Sequence, residues 1–159
     1  MTDRAANPPE EHPHAVAVRR LMAAFSSQDR TTVEELLDPT CVWRVPGHNG
    51  LAGERVGLPE VMGLFGTLKR VLAVPARFEV IDIATSPERA IVYQYGVVVV
   101  GERTVRMKEC LVYRFREGRI VEVDEFQYDQ AGFDEVFSHD AIATATASAR
   151  AAAAATGSE

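Results

Sequence analysis

The sequence predicts an α+β fold in which three helices pack on the concave face of one curved antiparallel sheet. Apolar residues recur at helical spacing before residue 73, and four runs of alternating β-type residues follow from residue 76 onward. Helices that precede a series of strands are typical of α+β proteins, in which the helices cover one side of the sheet. A length of 159 residues is that of one domain.

The first helix is predicted over residues 13–27. Pro13 stands at the start, where a first-turn proline is tolerated because its missing N–H has no helical partner. An apolar stripe at positions i, i+3, i+4 and i+7 gives the helix one face to bury. The stripe consists of Val18, Leu21, Met22 and Phe25.

A short second helix and the first strand are predicted next. Thr31 or Thr32 can cap the helix, and Pro39 follows its end. The run CVWRVP then alternates in the manner of a strand. Its residues on one face are Cys41, Trp43 and Val45.

The glycine-rich segment 47–57, GHNGLAGERVG, is expected to form a loop. It leads into a third helix over residues 58–72. The apolar residues of this helix fall in register, which favours packing on a sheet. They are Val61, Phe65, Leu68 and Leu72.

The second half of the chain is predicted to be an antiparallel meander. Tight turns at Ser86–Pro87, Gly101–Glu102 and Glu117–Gly118 separate four runs with strand character. The runs are FEVIDIAT, RAIVYQYGVVVV, TVRMKECLVYRF and IVEVDEFQY.

The two ends of the chain have a different composition from the predicted domain, residues 13–139. Residues 1–12 lack an apolar pattern and are expected to be disordered. Residues 140–159 are rich in alanine, which favours helix, but offer few large apolar groups with which to dock. A frayed helix or a disordered extension is expected there, without a chemical role.

Charge and cysteine content exclude several classes of protein. A net charge of −6 disfavours nucleic-acid binding, which requires concentrated cationic charge. Two cysteines without CxxC spacing disfavour a zinc site and a disulfide framework, and indicate the cytoplasm. The sequence contains no HExxH motif, so no metal site is predicted, and no apolar run long enough for a membrane span.

Two segments carry a resemblance to a known family. Residues 41–57 are similar to the first strand and glycine-ending loop of the nuclear transport factor 2-like superfamily, and residues 113–126, YRFREGRIVEVDEF, are similar to its closing hairpin. More narrowly, the chain resembles the SnoaL-like polyketide cyclase and ketosteroid isomerase group. The resemblance implies a cone-shaped sheet around an apolar pocket. It also implies catalysis by one or two carboxylates with His or Tyr partners, without a cofactor.

Glu109 is the most distinctive candidate site residue. It is the one charged residue on a strand face that is otherwise apolar or aromatic. Burying a carboxylate costs several kcal/mol unless it is paired or neutralised. Glu109 is therefore predicted to be a pocket acid or base, the alternatives being a residue at the pocket mouth or a salt bridge to an arginine. The other residues of this face are Val105, Met107, Leu111, Tyr113 and Phe115.

The closing strand supplies a second candidate acid. Aligned on Gly118, Glu125 occupies the position where the resemblance implies a catalytic aspartate, and neighbouring Asp124 is a candidate for substrate binding. The family's His–Trp pair before this position is Val123–Asp124 here. Alternatively, the acidic residues of this strand form a solvated edge.

Further candidates surround the expected pocket mouth. His48, in the glycine loop, could orient a substrate or relay a proton, although a loop histidine is often only a surface residue. Trp43 is expected in the core or in the pocket wall. The tyrosines Tyr93, Tyr95 and Tyr113 are candidate hydroxyl donors to a substrate, packing being the alternative for each.

The sequence thus predicts a cofactor-independent acid/base enzyme acting on a small hydrophobic substrate that contains a carbonyl group. Cyclisation, isomerisation and dehydration all suit proton exchange between two carboxyl groups. The alternative from another class is a non-catalytic module that binds a small ligand or mediates dimerisation. A homodimer is expected, since a curved sheet with an exposed back often pairs.

Overall fold

A computed structural model describes residues 11–157, so that most of the expected N-terminal tail lies outside the described residues. Five helices and six strands are present in this part of the chain. The helices are α1 (Pro13–Ser27), α2 (Arg30–Leu36), α3 (Leu58–Val71), α4 (Gln130–Val136) and α5 (His139–Thr156). The strands are β1 (Leu37–Val45), β2 (Gly53–Val56), β3 (Arg77–Thr85), β4 (Arg89–Val100), β5 (Arg103–Arg116) and β6 (Arg119–Gln127).

All six strands form one curved sheet in the order β2-β1-β6-β5-β4-β3. Strands β3 to β6 pair antiparallel with their sequence neighbours, as the turns predicted. Strand β1 lies parallel to β6 and antiparallel to β2, which places the first strand beside the last. The predicted α+β class, with helices against a curved sheet, is confirmed.

The core lies between the helices and the inner face of the sheet. Val18 and Leu21 of α1 and Val61 of α3 are fully buried, and they form one cluster with inward residues of the strands such as Val92 and Val123. Full burial of a side chain of this size contributes about 1.5–3 kcal/mol. These contacts hold α1 and α3 over the concave side, as predicted.

The first half of the chain differs from the prediction at two places. Asp29 caps α2 by accepting a hydrogen bond from the backbone N–H of Thr32, 3.1 Å away, so the helix begins earlier than a threonine cap would allow. Residues Gly53–Val56 of the expected loop form strand β2. This strand is held by antiparallel pairing with β1, its predecessor in the sequence, which the periodicity of residues 53–56 does not reveal.

The C-terminal part contains more helix than predicted. Helix α4 is a short element capped by Asp129, whose side chain accepts a hydrogen bond from the backbone N–H of Gly132. The alanine-rich segment forms α5, and Ile142 and Ala145 of this helix pack against the core. Among residues 11–157, none of the helices is both long and apolar enough for a membrane crossing.

Candidate active site

Strands β4, β5 and β6 bring four polar side chains together on the inner face of the sheet. Glu109 of β5 lies opposite Gln94 of β4 on one side and opposite Gln127 of β6 on the other. Glu125 lies two residues before Gln127 and pairs with Leu111. Because side chains alternate along a strand, all four residues face the helices.

Two glutamine side chains bind the carboxylate of Glu109. Gln94 Nε2 donates to Oε1 at 2.8 Å, and Gln127 Nε2 donates to Oε2 at 3.1 Å. Burial raises the pKa of Glu109 above its ordinary value, and the two amide hydrogen bonds oppose that rise by stabilising the charged form. The alternative of a salt bridge to an arginine does not occur in the described structure, where the hydrogen-bond partners of Glu109 are neutral amides.

Glu125 has one hydrogen-bond donor instead of two. Trp43 Nε1 donates to its Oε1 at 2.6 Å. Burial, together with the charge of Glu109, raises the pKa of Glu125 to about 8, against the opposing effect of the Trp43 hydrogen bond. Glu125 therefore holds a proton at neutral pH while retaining the ability to release it.

Both glutamates are largely removed from bulk water. Each side chain keeps some accessible surface, although protein atoms surround the carboxyl groups closely enough to desolvate them. Such surroundings favour the proton-bound form of a carboxyl group.

Tyr113 lies further along the same inner face. Only 2% of its surface is exposed, and its ring lies 6.4 Å from that of Trp43, centroid to centroid. Burial raises its pKa well above the ordinary value, and the charges of Glu109 and Glu125 add to that effect. The phenol is therefore neutral across the physiological range and can act as a hydrogen-bond donor.

A cavity of about 390 Å³ opens between α1, α3 and the start of β3. Phe25, Phe65 and Phe78 are part of its lining. Trp43 packs edge-on against Phe65, with 5.0 Å between ring centroids, and its indole N–H binds Glu125. Phe65 and Trp43 thus lie between the cavity and Glu125, and neither glutamate is part of the lining. The other apolar residues of the lining include Val33, Met62, Leu68 and Leu72.

His48 is placed away from the glutamates. It is exposed, in the loop between β1 and β2. Its backbone N–H donates to Asp134 Oδ2 at 3.1 Å, and its imidazole interacts electrostatically with the same carboxylate. The structure therefore ties His48 to α4 instead of to the inner face of the sheet.

Three further candidates lie on the outer face. Lys108 Nζ lies 5.1 Å from the ring centroid of Tyr93, and the Arg106 guanidinium stacks 3.4 Å above the ring of Tyr95. Asp124 forms an ion pair with Arg44 at 3.1 Å. These contacts place Tyr93, Tyr95 and Asp124 across the sheet from Glu109, because each lies one residue out of phase with the inward positions of its strand.

Gln94 and Gln127 were not predicted as site residues. Gln94 is 1% exposed and is the one polar side chain among the inward residues of β4. The reasoning that identified Glu109, a lone polar residue on an apolar face, identifies Gln94 equally well. Within residues 11–157, no group of three or more His, Cys, Asp or Glu side chains is arranged to hold a metal ion.

Comparison with known families agrees with this architecture. The model of the SnoaL-like domain family matches residues 18–123. The chain belongs to the SnoaL-like domain family. Among curated proteins, none matches the sequence.

Solved structures of the same fold include two with sequence identity of 25% or more. Bal32a, from a soil-derived mobile gene cassette, is 28% identical, with a TM-score of 0.74 over 79% of this chain and 96% of that one. A nuclear transport factor 2-like protein of unknown function from Burkholderia pseudomallei is 25% identical, with a TM-score of 0.73 over 80% and 98%. An epoxide hydrolase from Mycobacterium tuberculosis shares the fold at 18% identity, with a TM-score of 0.64 over 81% and 94%.

Proposed function

We propose that this SnoaL-like protein is a cofactor-independent acid/base enzyme that acts on a small hydrophobic substrate containing a carbonyl group. The observation that carries the proposal is the pair of glutamates on one inner wall, where Glu109 has two amide donors and Glu125 has one indole donor. Two carboxyl groups whose surroundings give them different proton affinities can divide the roles of acid and base.

The chemistry follows from these two environments. One carboxylate removes a proton from the carbon next to the carbonyl, and the protonated partner delivers a proton to the oxygen or to another carbon. Cyclisation, isomerisation and dehydration each consist of such transfers. The Tyr113 hydroxyl, which shares the inner face with both glutamates, is the candidate for orienting the carbonyl, whereas His48 lies in the exposed loop between β1 and β2.

The cavity supports a hydrophobic substrate. Its lining of Phe25, Phe65 and Phe78 offers aromatic surface, and it meets the wall that Trp43 shares with Glu125. Pockets of a few hundred cubic ångströms with apolar walls and few polar groups are typical of small-molecule sites. The epoxide hydrolase of the same fold shows that this fold can support catalysis.

An exchange assay tests this proposal without knowledge of the natural substrate. The probe is 2-tetralone, a two-ring ketone with acidic protons next to its carbonyl, in deuterated buffer at pH 7. We expect the protein to accelerate deuterium uptake at those positions, as followed by proton NMR. Glu109→Gln and Glu125→Gln should each slow that uptake by about 10²-fold, the usual scale of acid/base assistance.

The matched control is Glu122→Gln, the same chemical change on the outer face of β6. Glu122 forms an ion pair with Arg114 and does not face the cavity, so this variant should retain the wild-type exchange rate. Equal rates for Glu109→Gln, Glu125→Gln and Glu122→Gln would contradict the proposed roles.

A second candidate function is that of a non-catalytic binding module. The aromatic wall favours it, because Phe25 and Phe65 stand between the cavity and the Trp43–Glu125 hydrogen bond. In this case 2-tetralone should bind, quenching Trp43 fluorescence, while the rate of deuterium uptake stays at the background level.

We further propose that the protein forms a homodimer through the outer face of the sheet and acts in the cytoplasm. Phe126 and Tyr128 are 56% and 82% exposed, and Phe126 lies across Cys110 from the exposed Tyr93, so that large exposed side chains cluster on this face. Cys41 and Cys110 are free thiols, which fits a reducing compartment. Analytical ultracentrifugation should give twice the chain mass, and Phe126→Asp should give the monomer.

A further inference from the structure

Glu109 is held from both sides by amide groups of the neighbouring strands. Gln94 belongs to β4 and donates to Oε1, and Gln127 belongs to β6 and donates to Oε2, at 2.8 and 3.1 Å. Each carboxylate oxygen therefore has its own donor, supplied by a different neighbour of β5. Glu125, by comparison, has the indole N–H of Trp43 alone.

The two amides leave their own oxygens without a partner. Gln94 Oε1 and Gln127 Oε1 are buried and accept no hydrogen bond from residues 11–157. An unsatisfied buried acceptor costs free energy. This orientation of the two side-chain amides is therefore favoured only if the hydrogen bonds that they donate to Glu109 are strong. Hydrogen bonds to an ionised carboxylate are roughly twice as strong as those between neutral groups, so this arrangement favours the charged form of Glu109.

Space for this arrangement is provided by Gly96. A Cβ atom at this position would lie 2.9 Å from Glu109 Oε1, closer than Cβ atoms lie to other atoms in proteins. The carboxylate therefore uses the volume that a side chain at residue 96 would fill. The titratable groups with which Glu109 interacts electrostatically are Glu125, Tyr113 and Cys110. None of these carries a positive charge, so neutral amides are left to stabilise the anion.

We propose that Gln94 and Gln127 are positioning residues that keep Glu109 ionised, which makes Glu109 the proton acceptor of the pair and Glu125 the proton donor. The direction of catalysis rests on the proposed function, whereas the ionisation of Glu109 does not. In the forward step the C–H bond of the substrate breaks and its proton goes to Glu109. The electron pair of that C–H bond forms a carbon–carbon double bond, and the π electrons of the carbonyl move to its oxygen, which takes the proton of Glu125.

The same amides can accommodate the proton after its transfer. Protonated Glu109 has an O–H group that requires an acceptor. A half-turn of either side-chain amide presents Oε1 in place of Nε2, so the buried oxygen that lacks a partner before the transfer gains one afterwards. Glu109 can therefore change its protonation state without losing hydrogen bonds to both glutamines.

The test uses Gln94→Met and Gln127→Met, which keep the length of the side chain and remove the amide. Carbon NMR of protein labelled at the glutamate carboxyl carbons follows the titration of each site, with assignments from Glu109→Gln and Glu125→Gln. In the wild type Glu109 should ionise at lower pH than Glu125. Each Met variant should raise the midpoint of the Glu109 titration by about 1 pH unit, because one bond to the anion is lost.

A matched control is provided by Gln130→Met. Gln130 Nε2 donates to Asp134 Oδ1 at 2.8 Å, so this variant removes an amide donor from a carboxylate outside the site. In protein labelled also at the aspartate carboxyl carbons, it should raise the midpoint of Asp134 and leave that of Glu109 unchanged.

Two results would overturn the inference: ionisation of Glu125 before Glu109 in the wild type, or an unchanged Glu109 midpoint in both Met variants. If circular dichroism shows that the deeply buried Gln94→Met does not fold, Gln127→Met, at the end of β6, decides by itself. These titrations require no turnover. If the protein does not accelerate deuterium uptake by 2-tetralone, the proposed function is contradicted while the titration result stands. If uptake is accelerated but the Glu109 titration does not shift in the Met variants, only the role of the two glutamines is contradicted.

Discussion

The two faces of the sheet treat the same residue type in opposite ways. On the outer face of β6, Glu122 forms an ion pair with Arg114 at 2.9 Å, which lowers its pKa. On the inner face of the same strand, burial raises the pKa of Glu125 to about 8. The outer face supplies cations and water, whereas the inner face supplies neutral donors and excludes water. Position within the pleat, and not residue type, therefore decides which glutamate can exchange protons at neutral pH.

The largest expected effect comes from removing the indole of the inner face. Trp43→Ala deletes a residue that packs against Phe25 and Phe65 and donates to Glu125. Truncation of a large buried aromatic costs about 3–5 kcal/mol, so urea denaturation should show a fall of this size in the free energy of unfolding. Trp43→Phe keeps most of the packing and should recover most of that loss. An equal loss in both variants would show that the hydrogen bond, not the packing, dominates.

The pH dependence of stability should have opposite signs for the two faces. Glu125 binds its proton more tightly in the folded state, so its contribution is fully present below a pH of about 4.5 and is lost as the pH rises toward about 8. Over that window the free energy of unfolding should fall by about 1.4 kcal/mol per pH unit at most. Glu122, with a lowered pKa, contributes stability that is lost only as the pH falls below its ordinary value.

Urea denaturation between pH 5 and pH 8 checks this difference. Glu125→Gln should flatten the decline with increasing pH, whereas Glu122→Gln should leave its slope unchanged. A wild-type protein whose stability does not decrease over this range would contradict the placement of a neutral Glu125 in the interior.

Two glycine-to-alanine substitutions compare a crowded inner position with an open one. Gly96→Ala places a methyl group 2.9 Å from Glu109 Oε1 and should destabilise the protein by about 1–3 kcal/mol, as overpacking does. Gly63→Ala, in helix α3 with no atom within 4 Å of the added methyl apart from chain neighbours and the helix's own backbone, should stabilise it by about 0.5–1 kcal/mol. Thermal unfolding should therefore move in opposite directions. Shifts of the same sign would show that the space at residue 96 is not reserved for the carboxylate.

The smallest expected effect belongs to an outer carboxylate. Asp124→Asn removes an ion pair with Arg44, which keeps its second partner, Glu54, at 2.7 Å. Exposed pairs contribute about 0.2–1 kcal/mol, so the loss in the free energy of unfolding should fall in this range and disappear at high salt. A larger loss, or one that is independent of salt, would mean that Asp124 is more than a partner in a surface pair.

Strand alternation predicted the faces of this sheet correctly wherever the apolar side was unambiguous. It placed Glu109 on the apolar face of its strand, and it placed Glu125 on the same face as Val121 and Val123. Applied in the same way, it places Tyr93 and Asp124 on the face opposite Gln94 and Glu125, which is where the structure has them. The period of a strand is informative about faces because it is set by backbone geometry alone.

Other features could not be obtained from local patterns. Strand β2 exists because β1 pairs with it, and β1 lies beside β6 through contacts between residues some 80 positions apart. The partners of the glutamates depend on this arrangement: Trp43 reaches Glu125 across the β1–β6 pair. Side-chain hydrogen bonds of this kind are decided by tertiary packing, which periodicity does not encode.

The parallel pairing of β1 with β6 also determines when the site can assemble. Trp43 and Glu125 are 82 positions apart, so during synthesis the indole leaves the ribosome long before its carboxyl partner has been made. Contacts of such large sequence separation form slowly, because the entropy of the intervening loop is lost before the contact contributes any stabilising energy. In a newly made chain, Glu125 therefore stays hydrated with an ordinary acidity until the last strand docks. The unusual proton affinity of this group is acquired in the final closing of the sheet, so its titration reports that β1 and β6 have paired.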